Sequence, residues 1–224
     1  MPRSESRPKM LAAFDTATAF ASLALHDGLQ VRVEHTWESQ RRHTVELVPR
    51  FVAALEQLGL RAAQLSGLAL TRGPGSFTGL RVGMAVAKGL ALAHNLPLIG
   101  VPTLDVLAAA QGPDERPLCA LLQAGRGRIC VAIYRWLDGA WRLQEGPRLT
   151  TWSALWGETA GPTLFCGEID AQGMDMLAAL GERAVLLPSA RRLRRAGFLA
   201  EIAWQRLRRG ETDDPATLVP IYLH

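Results

Sequence analysis

The residues best suited to chemistry lie in the glycine-rich elbow Gly73-Pro-Gly-Ser-Phe-Thr-Gly-Leu-Arg-Val-Gly83 and in the acid-hydroxyl corner Asp15-Thr16-Ala17-Thr18. An elbow between a strand and a helix start presents backbone N–H groups that attract anions, and Ser76 or Thr78 can cap the first turn. Phosphate cradling and a purely structural helix start are both open on this spacing. The familiar phosphate motifs do not fit. A Walker loop needs Gly-Lys followed by Ser or Thr, whereas Gly79 is followed by Leu80, and the sixth position of a dinucleotide fingerprint counted from Gly73 is Thr78. Asp15 beside Thr16 and Thr18 could hold a hydrated magnesium ion near a phosphate, or cap a turn. Asp15, Thr16, Thr18, Gly73, Gly75 and Ser76 are the candidate cofactor-binding set of a degenerate nucleotide cleft.

Other catalytic constellations are scarce. The histidines His26, His35, His43, His94 and His224 form no i, i+4 pair, so no helical metal site is predicted. Ser76 lacks the Gly-x-Ser-x-Gly surroundings of a hydrolase nucleophile. Cys119, Cys130 and Cys166 are odd in number and have no metal spacing, as expected of buried thiols in a reducing compartment. No catalytic residue and no metal ligand is assigned.

The elements that must position these groups follow from periodicity. The chain of 224 residues is 48% hydrophobic, enough for one large domain or two compact lobes. Residues 1–9 are polar and read as a disordered tail without a signal-peptide core, and no apolar run approaches the roughly 18–20 residues of a membrane span. A cytoplasmic protein that does not engage a membrane is the expectation. Strands are predicted at Met10 to Phe14, Ala19 to His26 and Gln30 to Trp37, then a helix from His43 to Leu58, a strand at Gly67 to Thr71, and a helix from Thr78 to Asn95. A strand at Pro97 to Val101 and a helix capped by Thr103 complete a lobe over residues 10–110. The proline-bounded Gln111 to Pro117 reads as a hinge. A second lobe over 111–224 repeats the theme, with strands at Leu118 to Gln123, Arg128 to Trp136, Trp141 to Glu145, Thr163 to Cys166 and Ala184 to Leu187. Helices at Met174 to Leu180 and Gly197 to Arg208 and an extended Leu218 to Leu223 follow. The fold class is α/β, two related lobes facing a cleft.

The net charge of +4 comes almost wholly from arginine, since Lys9 and Lys88 are the only lysines. Arg191, Arg192, Arg194 and Arg195, with Arg206, Arg208 and Arg209, form the densest cluster, read either as a solvated helix face or as a phosphate-seeking patch. The two helices of the first lobe are more apolar than one buried face requires. Val45, Val48, Val52 and Leu55 share one side of the first helix, and Val82, Gly83, Val86 and Gly89 form a stripe and a small-residue groove on the second. These eight residues are the candidate partner interface, unless the second lobe covers them.

Taken together, Leu11-Ala-Ala-Phe-Asp15-Thr-Ala-Thr18, Arg42-His43 with Leu47 and Pro49, the elbow Gly73 to Gly83, Ala87-Lys88-Gly89-Leu90-Ala91 and the terminal Pro220-Ile-Tyr-Leu223 resemble the TsaB (YeaZ) family. The resemblance implies an actin-like ATPase fold (ribonuclease H-like) in a noncatalytic scaffold and dimerisation subunit of the bacterial machine that makes threonylcarbamoyladenosine in tRNA. It implies binding to the catalytic paralogue TsaD, assembly with the ATPase TsaE, a possible homodimer, and tRNA as substrate of the complex. ATP and metal would belong to the partner subunits, with no cofactor bound tightly here. TsaD carries a His-x-x-x-His metal pair, and Thr103 and Leu107 stand at the matching places. The sequence departs from the family's Asp-Ala-Arg-x-x-Glu-Val-Tyr run, with Gln123 and Arg128 in place of the acids. The competing reading is an autonomous enzyme, an ATP-dependent actin-fold kinase or a metallopeptidase.

Overall fold

Strand β1 (Leu11–Asp15) is buried at every position, as a strand covered on both faces must be. Its neighbours are antiparallel β2 (Phe20–His26) on one side and parallel β4 (Gly67–Thr71) on the other, with β3 (Val31–Glu38) and β5 (Leu98–Val101) at the edges. The sheet order is β3-β2-β1-β4-β5. This computed structural model describes residues 10–40 and 42–223; the expected tail over 1–9, Arg41 and His224 lie outside the described residues.

Helices α1 (His43–Gln57) and α2 (Phe77–His94) cover one face of this sheet, with Leu47, Phe51, Met84 and Ala87 packed on Phe14, Leu23, Leu68 and Leu70. Ser76 caps α2, its Oγ accepting from the Gly79 amide at 3.3 Å. After α3 (Thr103–Ala109) the chain builds a second sheet from β6 (Leu118–Gln123), β7 (Arg128–Leu137), β8 (Ala140–Thr151), β9 (Thr163–Gly167) and β10 (Ala184–Leu186), in the order β10-β9-β6-β7-β8. Counted from its own first strand, the second sheet repeats the first sheet's order, with the same antiparallel meander and parallel extension. Helices α4 (Trp152–Glu158) and α5 (Ala171–Ala179) cover one face of it through Trp152, Leu155 and Leu177. Among the described residues no helix is long and apolar enough to cross a membrane.

Several expectations need correction. A division at residue 110 misplaces two helices: α3 packs Leu104, Leu107 and Ala108 on the second sheet, and α6 (Ala196–Arg208) returns to pack Leu199, Ala200 and Ala203 on the first. Each sheet leaves an apolar face that the helices near it in sequence do not cover, and the exchange buries both. Thr103 does not cap α3; it is the first helical residue after Pro102, and its buried Oγ has no partner among the described residues. Strand β8 runs past Gly146-Pro147 to Thr151, because an edge strand tolerates proline where its N–H would face outward. The C-terminal Leu218 to Leu223 is extended but joins no sheet.

Candidate functional site

Asp15 ends β1 in the middle of the first sheet, and it is fully buried. Its Oδ1 accepts from the Ala17 amide at 2.9 Å and from Thr71 Oγ1 at 3.2 Å. Its Oδ2 accepts from Arg194 Nε at 2.9 Å. The same guanidinium donates through Nη1 to Glu168 Oε1 at 2.9 Å and through Nη2 to the Phe20 carbonyl at 3.1 Å, and Nη2 also reaches Thr18 Oγ1. Thr18 Oγ1 in turn donates to Glu168. Asp15 and Thr18 belong to the first lobe and Glu168 follows β9 in the second, so Arg194, only 3% exposed, ties the lobes together across the floor of the cleft. Burial by itself disfavours the charge on Arg194, but the carboxylates of Asp15 and Glu168 outweigh it and hold its pKa above the usual arginine value.

This geometry settles where each predicted nucleotide residue lies. Asp15 is engaged by protein donors on both oxygens. Thr16 Oγ1 donates to the Gly79 carbonyl at 2.8 Å. Gly73, at φ +109°, lies so close to the C-terminal segment that a Cβ would sit 2.4 Å from the Ile221 carbonyl oxygen. A Cβ on Gly75 would sit 2.4 Å from the Ala17 carbonyl oxygen, which itself accepts from the Ser76 amide at 2.6 Å. The elbow's glycines therefore allow backbone to approach backbone. Gly75→Ala is expected to destabilise the fold by about 1–3 kcal/mol, as overpacking does, read as a lower denaturation midpoint at unchanged slope.

Glu168 and Arg194 were missed as a site. Arg194 was lost inside an arginine cluster whose composition suggested solvent. In fact much of that cluster is paired: Arg195 with Glu34, Arg206 with Asp213 and Arg209 with Glu211. Gln123, the family's missing acid, donates from its backbone amide to Glu168 Oε2 at 3.3 Å and from Nε2 to the Glu168 carbonyl at 3.1 Å. The amide side chain thus braces the acid that holds Arg194, where a second carboxylate would repel it. Arg128, in place of the other acid, is exposed at the start of β7.

Above this floor an open cleft of about 630 Å3 remains, lined among others by Thr18, His43, Ser76, Phe77, Gln123 and Glu168. The C-terminal segment closes over the outer side of the elbow. The Ile221 amide donates to the Arg72 carbonyl at 2.6 Å, and Tyr222 packs 5.2 Å from Phe77, whose face is also covered by Arg81. Among the described residues no three His, Cys, Asp or Glu side chains gather to hold a metal, and Thr103 and Leu107 are buried. Burial pushes the thiols of Cys119 and Cys130 up to about 12 and raises that of Cys166 as well.

The second candidate surface lies on α1 and α2. Val45, Val48 and Val52 are 60%, 43% and 44% exposed, and Val82 and Val86 are half-buried. A groove of about 570 Å3 runs between the helices, lined by Val48, Phe51, Val52, Leu55, Val86 and Gly89. No part of the second lobe lines it. Leu55 forms its floor and belongs to the core. Gly89 faces open space, with nothing within 4 Å of a Cβ placed there. Gly83 is the exception. It is buried, and a Cβ there would sit 2.4 Å from Thr16 Oγ1, so it admits the Asp-Thr corner instead of a partner.

Comparison with known proteins agrees with this architecture. The sequence model of the family described as "TsaD: tRNA N6-adenosine threonylcarbamoyltransferase" matches residues 36–162. The chain is 32% identical over 231 residues to the tRNA threonylcarbamoyladenosine biosynthesis protein TsaB of Escherichia coli (strain K12), covering 95% of this chain and 94% of that one. It is 26% identical over 217 residues to the protein of the same name from Bacillus subtilis (strain 168), covering 95% and 93%. The solved structure of YeaZ from Pseudomonas aeruginosa superposes with a TM-score of 0.77 at 26% identity, covering 96% of this chain and all of that one.

Proposed function

The chain belongs to the TsaB (YeaZ) family of tRNA threonylcarbamoyladenosine biosynthesis proteins, and from that premise we propose that it is a noncatalytic scaffold that docks on TsaD through the α1–α2 groove. The observation that carries this reading is the row Val45, Val48 and Val52 left exposed beside Val86 and Gly89. Two parallel ridges of β-branched side chains with a glycine gap suit a helix-on-helix seam with a partner of the same fold. A second copy of the chain could occupy the same face, so homodimer and heterodimer would exclude one another. TsaE would join the complex formed with TsaD, tRNA would be its substrate, and the work would take place in the cytoplasm.

Two features support assigning the chemistry to the partners. Arg194 stands among Asp15, Thr18 and Glu168, where an ATP-using relative would need room for a metal and a phosphate. Thr103 and Leu107 offer no ligand pair for iron or zinc. ATP and metal are accordingly assigned to TsaD and TsaE. The test is co-purification with TsaD from the same organism, followed by assay of tRNA threonylcarbamoylation with and without this chain. Stable capture and a dependence of the modification on the chain are expected. ATP hydrolysis or peptide cleavage by the purified chain alone would favour the autonomous-enzyme reading and overturn this one.

A further inference from the structure

We propose that the inter-lobe cleft at the N-termini of α1 and α2 is an oxyanion site built around His43, which takes a small ligand by its phosphoryl or carboxylate group. Both helices begin on the cleft wall, α1 with His43 and Thr44 and α2 with Phe77 and Thr78. Among the described residues, the amides of these four meet no acceptor. The α1 start has no side-chain cap, and the Ser76 cap of α2 serves Gly79 instead. Two positive helix ends with unsatisfied N–H groups therefore open on one cavity.

An independent observation comes from His43 itself. It lines the cleft, is only 5% exposed, and its Nδ1 is buried without a partner among the described residues. A buried polar nitrogen left unpaired is unfavourable, and a bound group that pairs with it relieves the cost. Phe77 and Val82 add apolar wall, which strengthens polar contacts made inside. Glu168 also borders the cleft, but its carboxylate is engaged by Arg194, Thr18 and the Gln123 amide.

The imidazole makes binding depend on pH. Burial holds the pKa of free His43 below the ordinary value; the Thr18 backbone and the charges of Glu46 and Asp15 oppose this, and Arg194 adds to it. From α2 the packing neighbour is Gly79, which carries no charge. An anion placed beside the ring favours the imidazolium, so the pKa is higher in the complex than in the free chain. Between those two values, affinity falls about tenfold for each unit of rising pH.

The experiment uses the full chain with sodium sulfate, which mimics a phosphoryl group without titrating, and with sodium acetate, with chloride at matched ionic strength as control. His43 is followed by the nitrogen NMR resonances of its ring. Sulfate or acetate is expected to convert a neutral His43 to imidazolium at neutral pH, with tighter binding at acid pH. The stronger of the two salts identifies the ligand group. His43→Gln, which keeps a polar side chain of similar reach, is expected to remove the pH dependence while the melting temperature holds. Ring resonances that respond no more to sulfate and acetate than to chloride would overturn the proposal. So would pH-dependent binding that survives in H43Q.

Discussion

Val86→Glu is expected to leave the chain folded and to weaken its capture of TsaD about a hundredfold or more. Val86 is half-buried on α2 and lines the groove opposite Val48 and Val52. In the free chain the new carboxylate can turn to water, so stability should change by no more than about 0.5–1 kcal/mol. In a helix seam it would be buried without a partner, a cost of about 3 kcal/mol, which corresponds to about a hundredfold in affinity. Calorimetric titration with TsaD, beside a thermal melt of the free variant, measures both quantities. Gly89→Ala is an instructive companion. A Cβ at that position meets nothing in the isolated chain, so the substitution should stabilise α2 by up to about 1 kcal/mol while crowding a closely packed partner. Wild-type affinity in both variants would move the interface off this groove.

Arg194→Met should lower the stability of the whole fold by about 3–5 kcal/mol, the usual result of removing one partner from a buried ionic cluster. The loss follows from what remains: Asp15, fully buried, would face only Ala17 and Thr71, and Glu168 would lose its link to the first lobe. Arg194→Lys is not expected to rescue it, because an ammonium cannot present the planar fork that reaches Asp15, Glu168, Thr18 and the Phe20 carbonyl together. The double variant Asp15→Asn, Arg194→Met should recover part of the loss, since it leaves no unpaired charge at Asp15. Chemical denaturation of the three variants decides the matter. An Arg194→Met chain as stable as wild type would show that the network does not hold the lobes together.

The first lobe was legible in the sequence because its signals are local. Five buried apolar residues per strand, a Gly-Pro-Gly turn and long proline-poor helices dictate β1, β4 and α2 within a residue or two. The surplus valines on α1 were equally readable, because a helix with two apolar faces announces itself by spacing alone. The exceptions are informative. Gly83 shares the stripe of Val82 and Val86 but lies beneath Thr16, since spacing shows that a residue is small without showing which backbone needs the room. The helix α4 was missed because its seven residues, Trp152 to Glu158, are too few for periodicity to stand out. The cluster Arg191 to Arg195 looked uniform, yet Arg194 is buried and its neighbour Arg195 reaches an exposed pair with Glu34.

By itself the sequence determined the two-lobed α/β plan, the family and the apolar faces of α1 and α2, since each depends on residues close together in the chain. Only the tertiary structure decided that α3 and α6 exchange sheets and that Arg194 plugs the acid corner with help from Glu168. It also decided that His43 and two helix ends face a common cleft. Those facts join residues more than a hundred positions apart, and no local pattern encodes such a meeting; it arises when two repeated sheets bury their remaining faces against each other and bring their loops to one side.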